Sequence, residues 1–169
     1  PPGMKLRALL ILFVPVLAVA ADPVFEAETV DAEILIGYGL AIADVNGDGR
    51  EDILLADKRD IVWYENPTWE KHLMARQLTA RDNVCIAARD LDGDGKCEVA
   101  VGAQWNPGET NSEEESGAVF DLAAPEDRTQ RWEAVQLPHE PTVHRMHWVR
   151  GKRGFELVVQ PLHGRGNID

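Results

Sequence analysis

Two stretches of this chain share one plan. Residues 44 to 52 read DVNGDGRED and residues 90 to 98 read DLDGDGKCE, so oxygen-bearing side chains fall at positions 1, 3, 5 and 9 of each. Alternate residues of a tight loop can point inward together, which suits a hard cation; Ca²⁺ takes six to eight oxygens at roughly 2.3 to 2.6 Å. The expected ligands are Asp44, Asn46, Asp48 and Asp52 in the first loop and Asp90, Asp92, Asp94 and Glu98 in the second. Arg50 and Lys96, at position 7, would add only their backbone carbonyls. The competing reading is an acidic Asx/Gly turn that holds no metal. Two copies of one ligand pattern weigh against it.

An EF-hand begins the same way but needs a bidentate Glu at position 12 and a helix on either side. Position 12 is Leu55 in the first stretch and Val101 in the second, and both are apolar. The flanks GLAIAD, DILLAD, VCIAARD and EVAVGA are short and strand-like. Each loop is therefore expected to join two adjacent strands.

The distance from Asp44 to Asp90 and from Asp52 to Glu98 is 46 residues in both cases. A fixed period of about 40 to 50 residues with all-β patterning points to four-stranded propeller blades. The first blade, 37–75, is expected to have strands at 38–44, 52–57, 61–65 and 69–74. The second, 83–138, has them at 83–89, 98–104, 117–122 and 131–137, with the polar insertion 106–117 read as a solvated loop. A third unit, 143–169, supplies strands at 143–149 and 155–160. An aromatic precedes Glu at Phe25, Trp69 and Trp132, which predicts an outer strand over 24–31 and three rings packed between sheets. The fold class is all-β: an N-terminal piece of a β-propeller with about two complete blades and part of a third.

Residues 1–21 read as a secretory signal with three residues upstream of Met4: Lys5 and Arg7, an apolar run from Leu9 to Val19, and the small residues Ala18, Val19 and Ala20. The apolar run is shorter than the roughly 18 to 20 residues a membrane span needs. The expected location is secreted or periplasmic. A net charge of -12 argues against nucleic acid and anionic membrane as partners. Both cysteines are expected to be free thiols, because a hairpin about the second loop places Cys85 opposite residue 103 and Cys97 beside the loop.

The stretches DVNGDGREDILLAD, IVWYENP and DLDGDGKCEVAVGA resemble the FG-GAP or VCBS repeats of exported β-propellers. That resemblance implies a seven- or eight-bladed ring with calcium loops in several blades. It implies no reaction, since one fold hosts many functions. In the third unit, aligning Glu156 with Asp52 and Glu98 puts Trp148 and Lys152 where Asp44 and Asp48 stand, so the calcium ligands are gone. The alignment sets His144 beside Leu40 and Ile86 on the innermost strand and His163 in a loop past the second strand. HRMHW and PLHGRGN are similar to the propeller of the aldos-2-ulose dehydratases, exported-type sugar lyases. By that resemblance His144, His163 and Arg165 become candidate catalytic residues, with a second divalent metal at the channel mouth.

A histidine on an inner strand serves either as a hydrogen-bonded core residue or in chemistry near neutral pH. His147, three residues on, is expected on the opposite face from His144. His72 and His139 show no partner in the sequence. Two functions remain open: a calcium-stabilised module that binds carbohydrate or protein at the cell surface, and a metal-dependent sugar lyase. Neither the ligand nor the oligomeric state is legible.

Overall fold

Short apolar stretches punctuated by Asp/Gly turns leave the backbone one way to satisfy its hydrogen bonds, namely pairing with the next stretch along the chain. The computed structural model describes residues 22–167 and shows this throughout. Strands β1 (Gly39–Ala43), β2 (Asp52–Ala56), β3 (Asp60–Glu65) and β4 (Glu70–Arg76) form one antiparallel sheet in sequence order. A second sheet holds β5 (Cys85–Arg89), β6 (Glu98–Ala103), β7 (Ala118–Ala123) and β8 (Glu133–Gln136), also in order. A hairpin of β9 (Val143–Arg150) and β10 (Phe155–Pro161) follows. This is the architecture of a β-propeller fragment: two blades and the inner hairpin of a third.

The blades stack face to face, which explains why their middle strands lack simple alternation. In β2, Leu54 turns into the seam with the second blade, while its neighbour Leu55 packs with Val62 and Tyr64 on the opposite face. In β6, Val99 and Val101 enter the seam with the first blade and Ala100 enters the seam with β9, beside Val143 and Met146. A strand covered on both faces must be apolar at consecutive positions. Trp63 and Met74, both fully buried, fill the first seam opposite Phe120 and Trp132. Side chains of this size stabilise by about 1.5 to 3 kcal/mol each when removed from water.

Trp132 is buried in the seam between the sheets just before β8, as the aromatic-Glu pattern predicts, whereas Trp69, just before β4, is half-buried and packs against Leu55, Val62 and Tyr64 on the open face of the first blade. Phe25 departs from the pattern. Residues 24–31 form no strand, and Phe25 is 89% exposed. A strand exists only beside a hydrogen-bonding neighbour, and no described strand pairs its backbone with this segment. What anchors it instead is polar. The Asp31 carboxylate accepts from the Tyr64 hydroxyl and the Lys71 ammonium, each at 2.7 Å, and Asp57 accepts from the backbone N–H groups of Leu35, Ile36 and Gly37.

Cys85 and Cys97 are both free and buried, and Cys85 lies opposite Gly102. The insertion 106–117 is more firmly attached than a solvated loop: the buried Ser116 hydroxyl donates to the Asn106 carbonyl and accepts from the Thr142 N–H. The expected secretory signal lies outside the described residues. No helix among the described residues is long and apolar enough to cross a membrane.

Candidate metal loops and an inner-strand cavity

Each calcium-type loop joins the innermost strand of a blade to the next strand. Asp44 reaches forward, its two oxygens accepting from the N–H groups of Gly47 (2.7 Å) and Gly49 (2.8 Å). Asp90 does the same with Gly93 and Gly95. Asn46 and Asp48 cap the N–H two residues on, as do Asp92 and Asp94. All four glycines take φ between 82° and 89°, a conformation in which a Cβ is strained. These bonds fix the loop side chains, and a carboxylate has about four lone-pair sites, so oxygens bonded to N–H groups can still face a cation.

The last ligand position secures each loop to the blade. Asp52 is fully buried, one oxygen accepting from Val45 N–H and the other from Asn66 N–H, both at 2.9 Å. Burial raises its pKa; the Asn66 and Val45 donors oppose this, and the charges of Asp44 and Asp48 add to the rise. Glu98 accepts from Leu91 N–H at 2.8 Å, and its pKa is likewise raised, by burial first and then by Asp92 and Asp94. A divalent ion would relieve this crowding of negative charge. The two loops touch: Cys97 N–H donates to the Asp44 carbonyl at 2.8 Å, and the Lys96 side chain lies against Gly47.

Ligand atoms of Asp90, Asp92 and Glu98 lie within 4.8 Å of one another, a grouping able to hold a metal ion. The corresponding positions of the first loop are Asp44, Asn46 and Asp52, so an amide oxygen replaces one carboxylate. Asp94 stands outside the cluster, and Arg50 pairs with Asp48 at 3.0 Å. An all-oxygen donor set of this kind fits Ca²⁺ rather than a thiolate- or imidazole-seeking metal. A second grouping, Glu65, Glu70 and His72, was not legible in the sequence. There Glu65 bridges the first loop to the outer hairpin, accepting from the Asn46 amide at 3.0 Å and meeting His72 Nε2 at 3.1 Å. Its signal lay in the cross-strand pairing of Trp63 with His72 and of Glu65 with Glu70.

In the third unit the turn is shorter than the sequence alignment assumed. Val149 pairs with Glu156, as Ala43 pairs with Asp52 and Arg89 with Glu98. Only residues 151–154 close the turn, so the alignment slips by two. Met146, and not His144, stands in the place of Leu40 and Ile86; His144 follows Tyr38 and Val84. These three line one cavity of about 270 Å³ together with Trp105 and Arg145. His144 is the unpaired residue of a β-bulge, between Arg145 opposite Gln160 and Val143 opposite Pro161. Its ring stacks on Trp105 with centroids 5.6 Å apart. Burial, then the Arg145 charge, lowers its pKa. His147 lines different hollows, with Leu40, Ile86 and Met146, and the bulge at His144 breaks the alternation from which an opposite face was expected.

The three candidate catalytic residues do not form one constellation. His163 is held through its backbone, whose N–H and carbonyl both bond the Thr142 hydroxyl. Arg165 turns to His139, meeting its Nδ1 at 3.2 Å and its carbonyl at 3.1 Å, and lies 3.7 Å from Glu140. His139 in turn contacts the Ser116 carbonyl at 2.7 Å, so both His72 and His139 do have partners. Neither metal-competent grouping among the described residues includes His144 or His163. Burial pushes both thiols up to about 12, so neither is a nucleophile at neutral pH.

Residues 44–101, from the first ligand of one loop through the whole of the other, match the family described as FG-GAP-like repeat. The chain carries an FG-GAP-like repeat. No curated protein matches the chain. The repeat and the two complete sheets agree on a propeller built from FG-GAP-like units.

Proposed function

We propose that this FG-GAP-like chain is part of an exported, calcium-stabilised β-propeller that binds a carbohydrate or a protein at the cell surface. The observation that carries the reading is the pair of oxygen-lined loops, each closed by a buried or half-buried carboxylate, Asp52 or Glu98, that also belongs to the blade. Calcium bound there would be held by Asp44, Asn46, Asp48 and Asp52 and by Asp90, Asp92, Asp94 and Glu98, with the Arg50 and Lys96 carbonyls completing the rings. The ion would supply charge neutralisation and rigidity, not chemistry. Export is supported by the signal-like pattern of residues 4–21, and it suits calcium loops of modest affinity, since extracellular modules work at roughly 10⁻⁴ to 10⁻³ M. Thermal melting with and without chelator tests the reading. A melting temperature that rises with Ca²⁺, and no longer does so in a variant carrying Asp44→Ala and Asp90→Ala, supports it; melting indifferent to both removes it.

The sugar-lyase reading has one observation in its favour. His144 is held neutral in a cavity and so is able to accept a proton. Against it stand the separate engagements of His163 and Arg165. Dehydration of a 2-keto sugar that is lost in His144→Ala would revive it.

A further inference from the structure

One hollow, of about 340 Å³, lies on the open face of the first blade among Val30, Ile34, Leu40, Ile53 and Leu55. Two of its polar groups are engaged with each other, since the Tyr64 hydroxyl donates to the Asp31 carboxylate. The cavity of Tyr38, Val84, Trp105, His144 and Arg145 differs in kind. One position from each of the three units contributes to it, at the end of the inner strands away from the metal loops. Three flat rings and one cation surround about 270 Å³, somewhat below the roughly 300 Å³ at which drug-sized pockets begin. The space suits a single saturated ring.

The bulge at His144 frees that residue from the strand's alternation and aims it at Trp105; bulges recur where a side chain must be redirected. Tyr38 is 52% exposed, so its ring remains open to a ligand at the mouth of the cavity. A neutral imidazole offers one donor and one acceptor, the pair a sugar hydroxyl needs. Arg145 is the cavity's one charged residue, and it is positive on a chain of net charge -12. One Nη1 donor bonds the His144 carbonyl at 2.8 Å, and a guanidinium has five donors in a fork that matches a carboxylate.

We propose that this cavity binds one pyranose ring bearing a carboxylate, a hexuronate unit, stacked on Trp105 and Tyr38 with its carboxylate on Arg145 and its hydroxyls on His144. The proposal rests on the carbohydrate arm of the function proposed above and names its ligand class. No covalent step is involved.

The test uses the full chain loaded with Ca²⁺, with methyl β-D-glucuronide and methyl β-D-glucoside as probes, followed by tryptophan fluorescence and saturation-transfer NMR. The glucuronide is expected to bind about tenfold more tightly than the glucoside, a factor in keeping with one charge-assisted contact. Arg145→Gln should abolish that preference, and Trp105→Ala should weaken both probes about tenfold or more. The calcium-induced melting shift of each variant reports whether it folds, and His144→Gln, which keeps hydrogen-bonding capacity, supplies a milder second variant. Equal binding of both probes, or binding of neither by a protein that does respond to Ca²⁺, overturns the proposal. A protein that does not respond to Ca²⁺ yet prefers the glucuronide would overturn the calcium reading and leave this one standing.

Discussion

Asp52→Ala separates the two roles that one carboxylate plays. In chelator, where no metal can matter, the substitution leaves the N–H groups of Val45 and Asn66 without their acceptor. Val45 is fully buried, so its N–H bears the whole desolvation penalty, about 1 to 3 kcal/mol, while half-buried Asn66 adds about 0.5 to 1 kcal/mol because water reaches it. Removing a carboxylate whose pKa is raised by burial and by the charges of Asp44 and Asp48 offsets part of that loss. The loss in calcium-free buffer is therefore below the summed penalty of about 1.5 to 4 kcal/mol and stays on the order of 1 kcal/mol or more. Asp48→Ala is the matched control: its carboxylate caps the Arg50 N–H in an exposed turn and pairs with an exposed guanidinium, so the cost in chelator should stay below about 0.5 kcal/mol. Urea unfolding in EDTA, followed by fluorescence of the buried Trp63, measures both. Loss of less than about 0.5 kcal/mol for Asp52→Ala, or an equal loss for Asp48→Ala, would refute the reasoning.

Three further outcomes follow from the packing and charge. A Cβ on Gly102 would lie 2.5 Å from both Cys85 Sγ and Val143 Cγ1, so Gly102→Ala should cost about 1 to 3 kcal/mol by overpacking, and adding Cys85→Ala should recover part of that loss in a double-mutant cycle. Asp31 is held down to about 2 by its hydrogen bonds with Lys71 and Tyr64, and its bonded carboxylate stabilises the fold above the usual carboxylate pKa. Discounted for the exposure of Lys71, that is about 1 kcal/mol at neutral pH, so the stability gap between the parent and Asp31→Asn should close as pH falls from about 4 through 2 in urea unfolding. Glu65→Ala removes the bridge between Asn46 and His72 and should weaken calcium at the first loop about threefold to tenfold while leaving the second unchanged, as read by titration of single-loop variants.

The strands were legible because blade sequences punctuate themselves. Asp44 to Asp52 and Asp90 to Glu98 fix where one strand stops and the next begins, and every strand from β1 to β10 starts and ends within two residues of its expected place. Cys85 falls opposite Gly102, one residue from the predicted position, for the same reason. Where that punctuation vanished, the reading slipped. Gly151 to Gly154 contain no ligand pattern to count from, so the shorter turn was invisible and His144 was placed two residues out of register. Residues 24–31 carried an aromatic-Glu pair, but a pattern cannot supply the neighbouring strand that pairing requires. The partners of His72 and His139 come from strand register and from the insertion 106–117 folding back on the third unit, neither of which a linear reading contains. The cavity was missed in part: His144 was singled out, whereas Trp105, Tyr38 and Arg145 converge on it only once three units are stacked.

Calorimetric titration of Ca²⁺ into chelator-stripped protein bears most directly on the account. Two ions per chain are expected, with Kd on the order of 10⁻⁴ to 10⁻³ M. For a site with Kd near 10⁻⁴ M, 10 mM Ca²⁺ then adds about 2.7 kcal/mol of stability. Asp90→Ala should reduce the stoichiometry from two to one. No binding heat, with a melting temperature unmoved by 10 mM Ca²⁺, would contradict it.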